Sequence, residues 1–180
     1  MYKISGFYIR LFLWFVLCHE LLANEPVTKS ALTDKVESRD IVVKNDSFTR
    51  SGEISVEQLL SDYPLFKKSY EDFSPTAEDV EQIKSLAGSD VVIFMGLWCH
   101  DSQREVPHLV KLIEQAGNPF QSVKIIALTP SKMLDKEYAK KFEVTHTPTI
   151  FVLKHDKIVA SIVEKPQVSL AQDLVNQIHP

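Results

Sequence analysis

The residues of this chain best suited to chemistry are Trp98-Cys99-His100-Asp101-Ser102. They follow the apolar run Val91-Val92-Ile93-Phe94-Met95 and precede a segment with helical periodicity. A strand that hands a cysteine to a helix N-terminus favours a thiolate, because unpaired backbone N–H groups and the helix dipole both stabilise negative sulfur. Cys99 is therefore the candidate nucleophile. Ser102 stands where a Cys-x-x-Cys protein carries its second thiol, so thiol chemistry here is monothiol. A protonated His100 would favour the thiolate further, and the Ser102 hydroxyl is expected to donate to the sulfur from one turn on. The competing reading of His100 is an exposed helix-start residue with no catalytic part. Asp101 repels a thiolate but suits the first helical turn, so it is expected to face solvent. Trp98 is expected to shield one side of the sulfur and to give an extended peptide a flat surface, or to pack as an ordinary core residue. Arg104 and Glu105 read as a solvated helix face, and His146 as a surface turn residue.

The elements that must hold these residues can be read from apolar spacing. Strands are expected at 90–95, 123–128, 149–154 and 158–163, and helices at about 101–116, 134–142 and 169–178. Alternation of strands and helices points to a parallel α/β sheet with helices on both faces. Lys154-His155-Asp156-Lys157, between two β-rich runs, points to a final antiparallel hairpin. Upstream, Val56, Leu59 and Leu60 recur at helical spacing behind a candidate N-cap, Ser55, and Pro64 interrupts that pattern. Ser74-Pro75-Thr76 opens a second helix over Ala77–Ala87, ended by Gly88. Both helices are expected to pack at the domain's edge.

With 44% hydrophobic and 24% charged residues, the 180-residue chain has the composition of an ordinary globular protein. Lys3 and Arg10 precede the apolar run Leu11–Leu17, and Leu21-Leu22-Ala23 offers a small residue at a cleavage point. Residues 1–23 are therefore read as a secretory signal peptide. The apolar core beyond Arg10 is too short to span a bilayer, which takes about 20 residues. Residues 24–52 are polar, lack sustained periodicity and read as a flexible leader; the remaining domain is 53–180. Asn45-Asp46-Ser47 matches a glycosylation acceptor, a triplet common by chance. Signal cleavage leaves 18 basic against 23 acidic residues, a net charge of −5, with no basic stripe for nucleic acid. It also removes Cys18, so Cys99 is the lone thiol of an exported, periplasmic or secreted, protein with no membrane attachment. A lone cysteine in a disulfide-forming compartment is either intermolecular or reactive.

Over residues 76–178 the chain resembles the thioredoxin superfamily. The resemblance rests on Trp98-Cys99-x-x-Ser102 after a buried strand, on Pro107 eight residues after the cysteine, and on Thr147-Pro148-Thr149 before the third strand. More narrowly, Gly96 through Pro107 is similar to a bacterial exported thioredoxin-like group whose motif is Cys-x-Asp followed by Ser, Cys or Ala. The resemblance implies a three-layer α/β/α sandwich with a central mixed sheet, here with an N-terminal helical extension. It also implies a cis Pro148 facing the nucleophile, and a Thr147 backbone offering edge hydrogen bonds to an extended substrate. Three departures stand out: Ser102 replaces the resolving cysteine, Ile93 occupies the place of the buried acid, and Val163-Glu164-Lys165-Pro166 lacks the usual glycine.

Two functions follow as expectations. The first is a monothiol thiol–disulfide oxidoreductase or isomerase with catalytic Cys99, His100 and Ser102 and substrate-binding Trp98, Thr147 and Pro148. It acts on disulfide- or sulfenate-bearing exported proteins, is reset by a small thiol or a reductase, and needs no cofactor. The second is a non-catalytic peptide-binding module, a chaperone or adaptor. A soft-metal site at Cys99, His100 and His146 is a weaker third, since no metal-spaced cluster accompanies it. Met95-Gly96-Leu97-Trp98 lacks the Pro and Thr pattern of a peroxidase.

Overall fold

The computed structural model describes residues 49–178; the expected signal peptide and nearly all of the leader lie outside the described residues. Five strands form one mixed sheet in the order β1-β3-β2-β4-β5. These are β1 (Gly52–Glu53), β2 (Asp90–Met95), β3 (Ser122–Ala127), β4 (Thr149–Lys154) and β5 (Lys157–Val163). The helices are α1 (Val56–Asp62), α2 (Pro64–Asp72), α3 (Ala77–Lys84), α4 (His100–Gln115), α5 (Lys136–Ala139) and α6 (Leu170–Ile178).

β2 lies at the centre because it is apolar on both faces, a run that only a strand covered from both sides can bury. It pairs parallel with β3, Asp90 opposite Ser122 through Met95 opposite Ala127. It pairs antiparallel with β4, Asp90 opposite Leu153 through Phe94 opposite Thr149. The parallel reading of the third core strand is thus corrected. The chain returns through a single helical turn, α5, where a longer helix over 134–142 was expected, and β4 enters in the opposite direction. β1 pairs antiparallel with β3 through Gly52 and Glu53, so Gly52, the last residue of the expected leader, belongs to the sheet.

Alternate residues of β2 divide the interior in two, as the two-residue period of a strand requires. Val91, Ile93 and Met95 join Leu59, Phe66, Ile83, Leu109, Leu112 and Leu174 in the larger core. Val92 and Phe94 join Ile126, Phe142, Phe151 and Leu153 in the smaller one, where Phe94 meets the rings of Tyr138, Phe142 and Phe151 edge-on or tilted.

Local chemistry sets the ends of the elements. Ser55 and Gln58 form a reciprocal capping box at α1. Pro64 occupies the first turn of α2, where its missing N–H costs nothing, so the interruption seen in the sequence is a helix start. Thr76 caps α3 by accepting from Asp79 N–H at 3.1 Å. The hairpin between β4 and β5 turns through His155 and Asp156, both at positive φ, as a primed two-residue turn requires. The N-terminal helices are more than an edge decoration: α2 packs on α4 and α3 on α6, and Leu59, Phe66 and Ile83 are core residues.

Candidate functional site

The site forms where the C-terminal ends of β2 and β3 meet the start of β4. Beyond Met95, Gly96 turns the chain, its N–H donating to Ser102 Oγ (3.1 Å) and its carbonyl accepting from Cys99 N–H (3.0 Å). Gly96 leaves room for the Trp98 indole, whose ring atoms would lie 2.7–2.9 Å from any Cβ at this position. The indole N–H donates to Leu128 O at 3.2 Å, and Lys132 Nζ lies 5.9 Å from the ring centroid.

Cys99 is the N-cap of α4 and its carbonyl accepts from Gln103 N–H at 3.0 Å, but its side chain caps nothing. The thiol donates instead to Thr147 O, 2.9 Å away and 48 residues on in sequence. Cys99 is half-buried and free, whereas Thr147 is 3% exposed. The Thr147–Pro148 bond is cis. Pro148 O accepts from Glu164 N–H at 2.7 Å, and Thr149 Oγ1 donates to His146 O at 2.7 Å. The segment opposite the sulfur is therefore tied at both ends. Loss of the thiol proton would break the contact with Thr147 O and leave two acceptors facing each other, which frees the sulfur and the carbonyl together.

The fold brings together Trp98, Cys99, Thr147 and Pro148 and treats the other predicted residues differently. Ser102 is fully buried, and its oxygen is engaged by Gly96 N–H; it makes no hydrogen bond to the sulfur. The hydroxyl closes the strand-to-helix turn. His100 is exposed at the first position of α4 and lines a cleft of about 560 Å³ with Leu65, Ser69, Phe73, Arg104 and His108. His146 is exposed, its Nδ1 2.9 Å from Thr145 Oγ1. Among the described residues no group of three His, Cys, Asp or Glu side chains could hold a metal ion.

The solvated-face reading holds for Arg104, which is exposed, and is corrected for Glu105. Glu105 is 6% exposed, and Arg104 neutralises it through Nε at 2.6 Å while Nη2 holds Asp101 at 2.7 Å. The signal was available in the sequence: Glu105 falls on the same helical stripe as Ser102, Leu109 and Leu112, all buried. His108 stacks on Phe73, ring centroids 4.0 Å apart. Burial, and then the nearby charges of Arg104 and Lys111, hold its imidazole below the ordinary histidine range. Tyr70 donates to Glu114 and so joins α2 to α4; that bond, with burial and the carboxylate's charge, pushes the phenol up to about 12.

Among solved structures, the chain is similar to a protein of unknown function from Pseudomonas aeruginosa, at 15% identity and a TM-score of 0.44, covering 69% of this chain and 82% of that one. It is similar to an HIV epitope-scaffold at 15% identity and a TM-score of 0.43, covering 69% and 83%. It is also similar to oxidised mitochondrial thioredoxin 3 from Saccharomyces cerevisiae, at 23% identity and a TM-score of 0.32, covering 53% and 86%. Comparison with curated proteins gives no match. The family described as Thioredoxin matches residues 60–178, which takes in α2 to α6 and β2 to β5. On that match, and on a mixed sheet whose β2–α4 junction presents Cys99 to the Thr147–Pro148 segment, the chain belongs to the thioredoxin family.

Proposed function

We propose that the protein is a monothiol thiol–disulfide oxidoreductase or isomerase of exported clients, working through a mixed disulfide at Cys99. The observation that carries this reading is the half-buried Cys99 thiol at the start of α4, 2.9 Å from Thr147 O. In the first step the Cys99 thiol gives its proton to solvent and the thiolate attacks one sulfur of a client disulfide. A bond forms between Cys99 Sγ and that sulfur while the other client sulfur leaves as a thiolate. With a client sulfenic acid, the same attack expels hydroxide, which takes up a proton to become water.

Ser102 cannot resolve the adduct, so release needs a thiol from outside. A second client thiol attacks the client sulfur of the adduct, forming a new client disulfide and releasing the Cys99 thiolate. Alternatively, two equivalents of a small thiol, or one dithiol reductase, free the client as a thiol and Cys99 as a thiolate and leave oxidised to a disulfide. Trp98, partly exposed next to Cys99, offers the client chain a contact surface; Pro148 is buried and acts by holding Thr147, with whose backbone an extended client would pair. His100, exposed at the helix start, belongs to this scheme as an electrostatic aid to the thiolate.

The test is recovery of covalent partners after rapid acid quench and alkylation, comparing wild type with Cys99→Ser. Long-lived mixed disulfides present only in the wild type are expected. Clients retained equally by a Cys99→Ala variant, with no covalent adducts, would establish the non-catalytic peptide-binding module in its place. A second measurement follows alkylation of Cys99 against pH. A thiol no more reactive at neutral pH than a free cysteine counts against exchange chemistry.

A further inference from the structure

Along the C-terminal end of β2 the neighbouring segments run in a fixed order, set by the strand sequence β3-β2-β4-β5. The loop after β3 comes first, then Trp98 and Cys99, then Thr147 and Pro148, then the turn after β5. On the first of these, Lys132 has φ 53° and sets its ammonium 5.9 Å from the Trp98 ring. On the last, Glu164 has φ 64°, its carboxylate exposed and its N–H bonded to Pro148 O at 2.7 Å. At both places the backbone lies in the left-handed region that favours glycine, yet the residue is charged. Neither side chain forms an ion pair among the described residues, whereas Arg104 and Asp101 at the start of α4 are paired. Lys165 follows Glu164, but it is Glu164 whose backbone is bonded across to Pro148; Lys165 N–H turns back to Val163 O.

We propose that Lys132 and Glu164 select the client. They favour a segment with an acidic residue on one side of its reactive cysteine and a basic residue on the other. The inference rests on the thiol-exchange reading above. Strands lie about 4.8 Å apart, so the three steps from β3 to β5 span about 14 Å. An extended chain covers that distance in about four residues. Cys99 lies one step from the loop after β3 and two steps from the turn after β5. A client bound through its sulfur thus sets a residue about one or two positions to one side of its cysteine against the lysine, and a residue about three positions to the other side against the glutamate. Opposite charges there are attracted at both ends, and like charges are repelled at one.

The test uses short synthetic peptides whose single cysteine is a mixed disulfide with pyridinethiol, an uncharged leaving group. Cys99 Sγ bonds to the peptide sulfur, the old disulfide breaks, and the released pyridinethione is followed by absorbance. The residues one to three before and one to three after the cysteine are Lys/Glu, Glu/Lys, Lys/Lys, Glu/Glu or Gln/Gln. Subtracting the rate of the Cys99→Ser variant isolates Cys99 from Cys18. One of the two opposite-charge orientations is expected to react about tenfold faster than either like-charge peptide. The double exchange Lys132→Glu with Glu164→Lys should hand that advantage to the other orientation. In the wild type the advantage should vanish at about 1 M salt, where the screening length is about 3 Å; this arm needs no variant to fold. Rates equal within twofold across the set, a ranking unmoved by the double exchange, or a preference that survives high salt would overturn the proposal and leave the exchange chemistry standing. Failure of Cys99 to react with any peptide would overturn both.

Discussion

Replacing Gly96 with alanine probes how the wall of the site is held. The new Cβ would lie 2.7 Å from Trp98 Cε2 and 2.9 Å from Cζ2 and Nε1, against about 3.5–4.0 Å for an unstrained contact. The backbone cannot yield easily, because Gly96 N–H is bonded to buried Ser102 Oγ and Gly96 O to Cys99 N–H. The indole must therefore move. Moving it forfeits the hydrogen bond to Leu128 O, worth about 1 kcal/mol, and the Lys132 contact, worth about 0.5 kcal/mol. Residual crowding adds about 1–2 kcal/mol. Against this, Gly96 is not in the left-handed region, so alanine gains about 0.4–1 kcal/mol by restricting the unfolded chain. The net loss is about 2 kcal/mol, a fall in Tm on the order of 8 °C. Urea denaturation followed by far-UV circular dichroism reads the stability, and emission of Trp98, with Trp14 the only other tryptophan in the chain, reads the displaced indole. A double-mutant cycle isolates the cause: with Trp98→Ala already present, Gly96→Ala should be neutral or stabilising by up to about 1 kcal/mol. An equal penalty in both backgrounds, or a Gly96→Ala protein with unchanged midpoint and emission, would refute the reasoning.

Three further outcomes are expected. Ser102→Ala should cost about 1–2 kcal/mol by stranding the buried Gly96 N–H, yet leave the alkylation rate of Cys99 nearly unchanged, since the hydroxyl contacts Gly96 and not the sulfur. A large drop in that rate would restore Ser102 to the reacting atoms. Arg104→Ala leaves buried Glu105 without its cation and should cost about 2 kcal/mol, discounted for the half-exposed guanidinium. Adding Glu105→Leu should recover most of that loss in the same urea titration. His108 has a folded-state pKa below its ordinary 6.5, so the unfolded chain takes up its proton first. Its contribution is complete above about pH 6.5 and is lost as pH falls from there toward the lowered folded value. Urea midpoints taken at about pH 7.5 and 5.5 should separate more for wild type than for His108→Gln; equal separation would exclude the histidine as the source.

Much of the scaffold was legible because it is written in local spacing. The run Val91–Met95 announced a strand apolar on both faces, and the structure uses both faces. Ser55 and Thr76 announced helix starts that depend only on residues three positions away. Pro64 was ambiguous for a physical reason: a proline that interrupts one helix is also well suited to begin the next. Glu105 was not legible from its side-chain type, because burial in a helix is decided by the face and a charge can follow if its cation comes along.

The sequence by itself determined that one cysteine would follow a buried strand and open a helix, because backbone hydrogen bonding and apolar period act between near neighbours. It also determined that the helix would hold no second thiol. Tertiary structure alone decided that β4 runs against β2, that the Ser102 hydroxyl turns inward to Gly96, that α2 lies against α4, and that the loop after β3 with Lys132 and the turn after β5 with Glu164 leave the sheet on opposite sides of β2. Each of these depends on strand order and packing between segments far apart in the chain. Thr147 O meets Cys99 Sγ at 2.9 Å across 48 residues, a contact no local pattern encodes and which exists only once the sheet has set both strand ends side by side.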